Sequence, residues 1–134
     1  MIFKVKKICG AIAFIGILCY TCIQMSERHG MRGEVMLSQI FSAGIYGIDG
    51  YMVTVEADSQ PRLPNFELVG LPDAAVKEAK DRVRTACQNS GYRFPEMSFM
   101  INLAPADRKK EGSAYDVAIL LGIMRCARIV NSDL

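Results

Sequence analysis

The sequence predicts an α+β fold, two helices laid on a mixed sheet, and three observations carry that expectation. From residue 39 onward the hydropathy patterns follow one another as β-β-β-α-β-α. The first helical stretch shows a single apolar face, whereas the last is apolar around its circumference. A length of 134 residues allows one domain with a real core, and 51% hydrophobic with 22% charged residues argues against disordered, collagen-like or disulfide-scaffold classes.

The chain divides at Met36. Residues 1–35 form an apolar, basic extension, in which Lys4, Lys6 and Lys7 precede an apolar run from Ile8 to Ile23. That pattern resembles a signal sequence or short membrane anchor, although its 16 residues fall below the roughly 20 a spanning helix needs. No small-residue cleavage site follows it. A blander expectation is that translation starts at Met36 and that Arg32-Gly33-Glu34-Val35 reflects purine-rich leader DNA; sequencing the N-terminus decides between them.

Residues 36–134 make the folded domain. Gln39 to Ile48 reads as a strand, Asp49-Gly50 as a hairpin signal, and Tyr51 to Ala57 as the returning strand. Gly44, Gly47 and Gly50 precede a strand and do not form a dinucleotide fingerprint. A loop over residues 59–65 leads to a third strand, Phe66 to Gly70. Asp73 is placed to cap the helix that follows, with Pro72 at its entry. Val76, Ala79, Val83, Ala86 and Cys87 give this helix its core face, and Glu78 stands i,i+4 to Arg82. Gly91 is the expected C′ residue, and Met97 to Leu103 supplies a fourth strand. Across the charged turn ADRKKEGS, Ser113 is expected to cap the last helix and Asp116 to complement its dipole.

Charge excludes one broad class of partner. Residues 1–35 carry five basic and two acidic side chains, and the remainder carries eleven and twelve, so bulk electrostatics make no case for nucleic acid. Five cysteines, an odd number, suggest reduced thiols in a cytoplasmic setting. Cys19 and Cys22 have redox-motif spacing but lie inside the apolar run, while Cys87 and Cys126 read as small buried hydrophobes. His29 stands without other metal-type ligands, and no metal site is expected.

The stretches VGLPDAAVKE (69–78) and NLAPADRKKEG (102–112), with Met36-Leu37-Ser38, Asp49-Gly50-Tyr51, Arg82-Val83 and Asn89-Ser90-Gly91, resemble the N-terminal domain of the YifB/ComM proteins, magnesium-chelatase-like AAA+ ATPases. The resemblance covers residues 36–134 and none of the extension. It implies a fold similar to the second domain of ribosomal protein S-five and to the Lon protease domain. It also implies a parent that forms ATP-driven rings and, in ComM-type members, moves DNA branches during natural transformation. Arg108, Tyr115 and Val117-Ala118 depart from the family's usual residues, which loosens assignment to any one subfamily.

No G-x-x-x-x-G-K-[ST] loop occurs in the sequence, so no ATP or other cofactor is expected on this chain, and ATP with magnesium is implied only for the parent's ATPase module. The chain is accordingly expected to be a fragment, partnered by that module and its ring neighbours, with DNA reached through the parent. The alternative from another class is a membrane-anchored binding module built on residues 8–23, and a membrane enters only if those residues are expressed. Two sharper alternatives stand beside it. Against a Lon-like serine peptidase, alignment of the Lys110-Glu111-Gly112 turn puts Ala114 at the nucleophile's position, and Ser113 has no activating base. Arg108, Lys109 and Lys110, with Lys77, Lys80 and Arg84, form a candidate nucleic-acid contact, though Asp107 and Glu111 partly neutralise the turn. No catalytic residue is expected.

Overall fold

The computed structural model describes residues 26–29, through their backbone, and residues 36–130. The extension's apolar run, the Cys19 and Cys22 spacing and the proposed leader residues lie outside them. Strands β1 (Ser26–His29), β2 (Met36–Tyr46), β3 (Asp49–Gln60), β4 (Asn65–Val69) and β5 (Ser98–Ala104) form one sheet in the order β1-β2-β3-β5-β4. All neighbours are antiparallel except β4 and β5, which run parallel, so the sheet is mixed. Helices α1 (Ala74–Lys77) and α2 (Ala79–Asn89) join β4 to β5, and α3 (Asp116–Cys126) follows β5.

Three features differ from the sequence expectation. The hairpin reverses at Gly47-Ile48, not at Asp49-Gly50, because Tyr46 pairs with Asp49 and Gly50 already lies in β3 opposite Ile45. Gly47 has φ +63 at the first central position, where a two-residue loop matching strand twist favours glycine. The sheet also takes in Ser26–His29, from the far side of the boundary placed at Met36, as an edge strand on β2. Finally, the helix begun at Asp73 breaks at Glu78, the cap shared by α1 and α2.

Alternation decides which face of the sheet is covered. Val53, Val55, Ala57 and Ser59 of β3 are buried and their neighbours are not. Phe99, Ile101 and Leu103 of β5 continue that face. The all-round apolar sequence of α3 is answered by burial of every residue from Ala118 to Cys126. Gly122 brings the helix close, since a Cβ there would lie 3.0 Å from the Ala57 Cβ. Fully burying each large aliphatic or aromatic side chain stabilises by about 1.5–3 kcal/mol, which makes this shared layer the main support of the fold.

Candidate functional site

The two stretches that carry the family resemblance meet in space. After β4 the chain passes Gly70 (φ +97) and Leu71 (φ +56), and Pro72 then forms a parallel bridge with Lys110. The Lys110 N–H donates to the Leu71 carbonyl at 3.1 Å, and the Asp73 N–H donates to the Lys110 carbonyl at 3.0 Å. Asp73 caps α1, its Oδ1 accepting from the Val76 N–H at 2.7 Å. Its Oδ2 accepts from the Gly112 N–H at 3.4 Å, so one carboxylate ties the helix start to the KKEG turn.

Lys110 is fully buried, and its ammonium donates to the Pro105 carbonyl, next to the cis Ala104–Pro105 peptide. Burial lowers its pKa, partly offset by Asp107. This corrects the expected solvent-facing trio: one of its three cations is turned inward. Arg108 lies over the Tyr51 ring, 4.9 Å from its centroid, and Lys109 pairs with Glu111 at 2.9 Å on the open surface. The hydrogen bond and charge of Glu111 raise the Lys109 pKa. Arg84, read with the basic set, lies 5.3 Å from the Phe94 ring centroid.

Tyr51 closes the corner from β3, its hydroxyl donating to the Lys109 carbonyl at 3.2 Å. Gly44 makes room for it: a Cβ there would stand 2.5 Å from Tyr51 Cζ and 2.8 Å from Tyr115 Oη. Burial, then the hydrogen bond with Tyr51, pushes the Tyr115 pKa upward.

Arg82 is the second fastener. Its Nε donates to Asp116 Oδ2 at 2.6 Å, and its guanidinium Nη2 to Asp116 Oδ1 at 3.0 Å and to the Ala75 carbonyl at 2.7 Å. The expected Glu78 pair is present at 3.6 Å, but the buried Asp116 is the main partner and the first cause of the raised Arg82 pKa. Sequence spacing cannot reveal a pair 34 residues apart. Asp116 does stand in the first turn of α3.

Ser113 is not the cap of α3. Tyr115 occupies the N-cap position without a side-chain cap bond, and Ser113 contributes its backbone carbonyl to the Asp116 N–H at 3.2 Å. Two residues of turn separate Ser113 from the helix, too far for a capping box. Gly91 (φ +80) stands at C′ of α2: its N–H donates to the Gln88 carbonyl at 2.9 Å and that of Tyr92 to the Cys87 carbonyl at 3.0 Å.

The glycine turn at Gly70 is packed on the Leu103 backbone, which leaves no cradle for phosphate. Among the described residues no group of three or more His, Cys, Asp or Glu side chains is placed to hold a metal. Four of its polar side chains, those of Asp73, Lys110, Tyr51 and Arg82, each bond a backbone group.

A family profile for subunit ChlI of Mg-chelatase matches residues 55–133. The chain is 44% identical over 97 residues to the uncharacterized protein YifB of Escherichia coli strain K12, covering 72% of this chain and 19% of that protein. It is 42% identical over 88 residues to competence protein ComM of Haemophilus influenzae, 66% of this chain and 17% of ComM. An uncharacterized protein of Mycobacterium tuberculosis H37Rv is 43% identical over 88 residues, 66% of this chain and 18% of that protein. The chain spans about a fifth of the length of these relatives. With both corner motifs inside the profile match and relatives 42–44% identical over 66–72% of the chain, the chain belongs to the magnesium-chelatase ChlI-type family, together with YifB and ComM.

Proposed function

We propose that residues 36–130 act as a non-catalytic docking domain of a larger YifB/ComM-type AAA+ ATPase, seated in the cytoplasm against the module that hydrolyses nucleotide. The observation that supports this is the use of Asp73, Lys110, Arg82 and Asp116 as fasteners of backbone and helices, which leaves the domain's surface as its working part. The order β-β-β-α-α-β-α over residues 36–130, in which α1 and α2 are the two halves of one broken helical stretch, with a mixed sheet, is consistent with a fold like that of ribosomal protein S-five domain 2 and the Lon protease domain. The name of one relative, competence protein ComM, supports a parent engaged in competence, and DNA remodelling during transformation is the activity proposed for that parent. In that reading DNA is handled by the ring, and any contact by this domain falls to Arg108 and Lys109, Lys110 being buried.

Complementation tests the reading. Escherichia coli YifB lacking the region matched by this chain is purified, the chain is added, and complex formation and ATP turnover are measured. Docking predicts a stable complex and a changed rate. A chain that is folded by circular dichroism yet neither binds nor alters turnover overturns it.

A further inference from the structure

Among the described residues, the sheet has one face buried beneath the helices and one face open. Solvated faces of largely antiparallel sheets are normally polar at alternate positions. Here the register sets Ala43 beside Met52 and Phe41 beside Thr54 on the open face, and Ile45 extends that apolar strip toward the hairpin. Ile45 is 80% exposed and Met52 68%, unusual for side chains of this kind on neighbouring strands, and Met100, 47% exposed, lies three rows away beside Asp58.

Farther along, the open face turns acidic. Glu56 accepts from Gln39 at 3.0 Å and from Asn102 at 2.9 Å, and the next row sets Asp58 beside Met100 and Met100 beside Glu67. No lysine or arginine occupies an outward position of β2, β3, β4 or β5 on this face, and the one basic residue in the row of Asp58 is Arg28 of the edge strand β1, at the register position beside Leu37. At the acidic end a groove of about 460 Å³ opens, lined by Asp58, Glu67, Leu63, Met100 and a single cation, Arg62. Asp58 Oδ2 accepts from Gln60 at 3.3 Å, but its Oδ1 is buried without a hydrogen-bond partner. A carboxylate oxygen in that state gains by receiving a donor.

We infer that this face receives a protein segment apolar along one stretch and cationic along the next, its apolar side chains over Ile45 and Met52 and a lysine or arginine entering the groove to meet Asp58 and Glu67. The inference rests on the docking reading, and assigns the occupant to the ATPase module of the parent. Charge decides against the rivals. A nucleic-acid backbone would meet carboxylates, and a second copy laid face to face would bring its own acids onto these.

The test uses the full 134-residue chain labelled at its methionine methyls, titrated at low salt with a synthetic peptide in which a stretch of leucines is followed by a stretch of lysines. A matching leucine–glutamate peptide is the control. Signals of Met52 and Met100 are expected to move with the lysine peptide only, and Asp58→Asn with Glu67→Gln to weaken that binding at least about tenfold, folding being checked by circular dichroism. Equal response to both peptides, no response, or response confined to other methionines overturns the inference. So do concentration-dependent shifts without peptide, which identify a second copy. Protection of both methyls from a soluble paramagnetic agent in the free chain also overturns it, showing the face covered by the chain's own residues. If the peptide test fails while the chain still binds truncated YifB, the docking function stands and only this face is wrong.

Discussion

Gly70 and Gly91 both have positive φ, yet they answer to different constraints. A Cβ at Gly70 would overlap the Leu103 carbonyl, whereas at Gly91 nothing lies within 4 Å. Gly70→Ala therefore carries backbone strain plus a steric clash with backbone, and is expected to cost about 2–4 kcal/mol in urea unfolding, against about 1 kcal/mol for Gly91→Ala. Equal costs would show that the Gly70 turn relaxes. The thiols give a second residue-scale prediction. Burial pushes Cys87 up and Cys126 up to about 11 from the model-compound value of 9.0, and Cys126 Sγ donates to the Ala57 carbonyl at 3.1 Å. The folded state holds the Cys126 proton more tightly than the unfolded state, so stability is fully present below pH 9 and declines as pH rises from 9 toward 11. That decline amounts to about 2–3 kcal/mol and should be absent in Cys126→Ala, as measured by denaturant melts across the range. Mass-spectrometric mapping should find Cys87 and Cys126 alkylated only on unfolding.

At the scale of elements, caps and fasteners decide which side chains matter. Asp73 caps α1 and also holds Gly112, whereas Ser113 lies outside α3. Asp73→Ala is expected to cost about 1–2 kcal/mol, and Ser113→Ala to fall within about 0.5 kcal/mol, by thermal or chemical denaturation. Comparable losses would restore Ser113 as a cap. Arg82 joins α1, α2 and α3 through Ala75 and Asp116. Arg82→Ala strands a buried carboxylate and should cost about 3–5 kcal/mol, while the double change Arg82→Met, Asp116→Leu should recover much of that loss. Equal stability of single and double variants would remove the pair from this role. The C-terminus of α3 shows what spacing alone misses: Arg128, at φ +54, fills the left-handed position usually given to glycine, its N–H donating to the Arg125 carbonyl at 2.8 Å.

For the whole molecule, the sheet order predicts the pattern of opening. β3 is hydrogen-bonded on both sides, to β2 and β5, and its inward residues Val53, Val55 and Ala57 are fully buried. β4 is an edge with one bonded neighbour. Amide exchange is therefore expected to be slowest in β3 and β5 and faster in β4, whose opening does not require the core to separate. β4 amides protected as strongly as those of β3 would mean that its free edge is covered. Under the proposed docking role, that edge and the open sheet face are the surfaces left to meet the rest of the assembly.

Local patterns in the chain determined most of the elements. Alternation marked β3 and β5, the 3.6-residue period marked α2, the all-apolar run marked α3, and Asp73 and Gly91 stood where caps are needed. These signals are local because neighbours in sequence are neighbours on a strand or helix. Tertiary structure alone decided that Gly47-Ile48 is the turn, since strand register and not dipeptide preference sets where a hairpin reverses. It also decided that Lys110 is buried, that Ser113 is no cap, and that Arg82 prefers Asp116 over Glu78. Each of these depends on segments more than 30 residues apart, or on the position of a turn in space, and burial has no one-dimensional signature for a lysine flanked by exposed cations. The two motifs were readable as a resemblance in the sequence; that they fasten to each other required the fold that brings Pro72 beside Lys110.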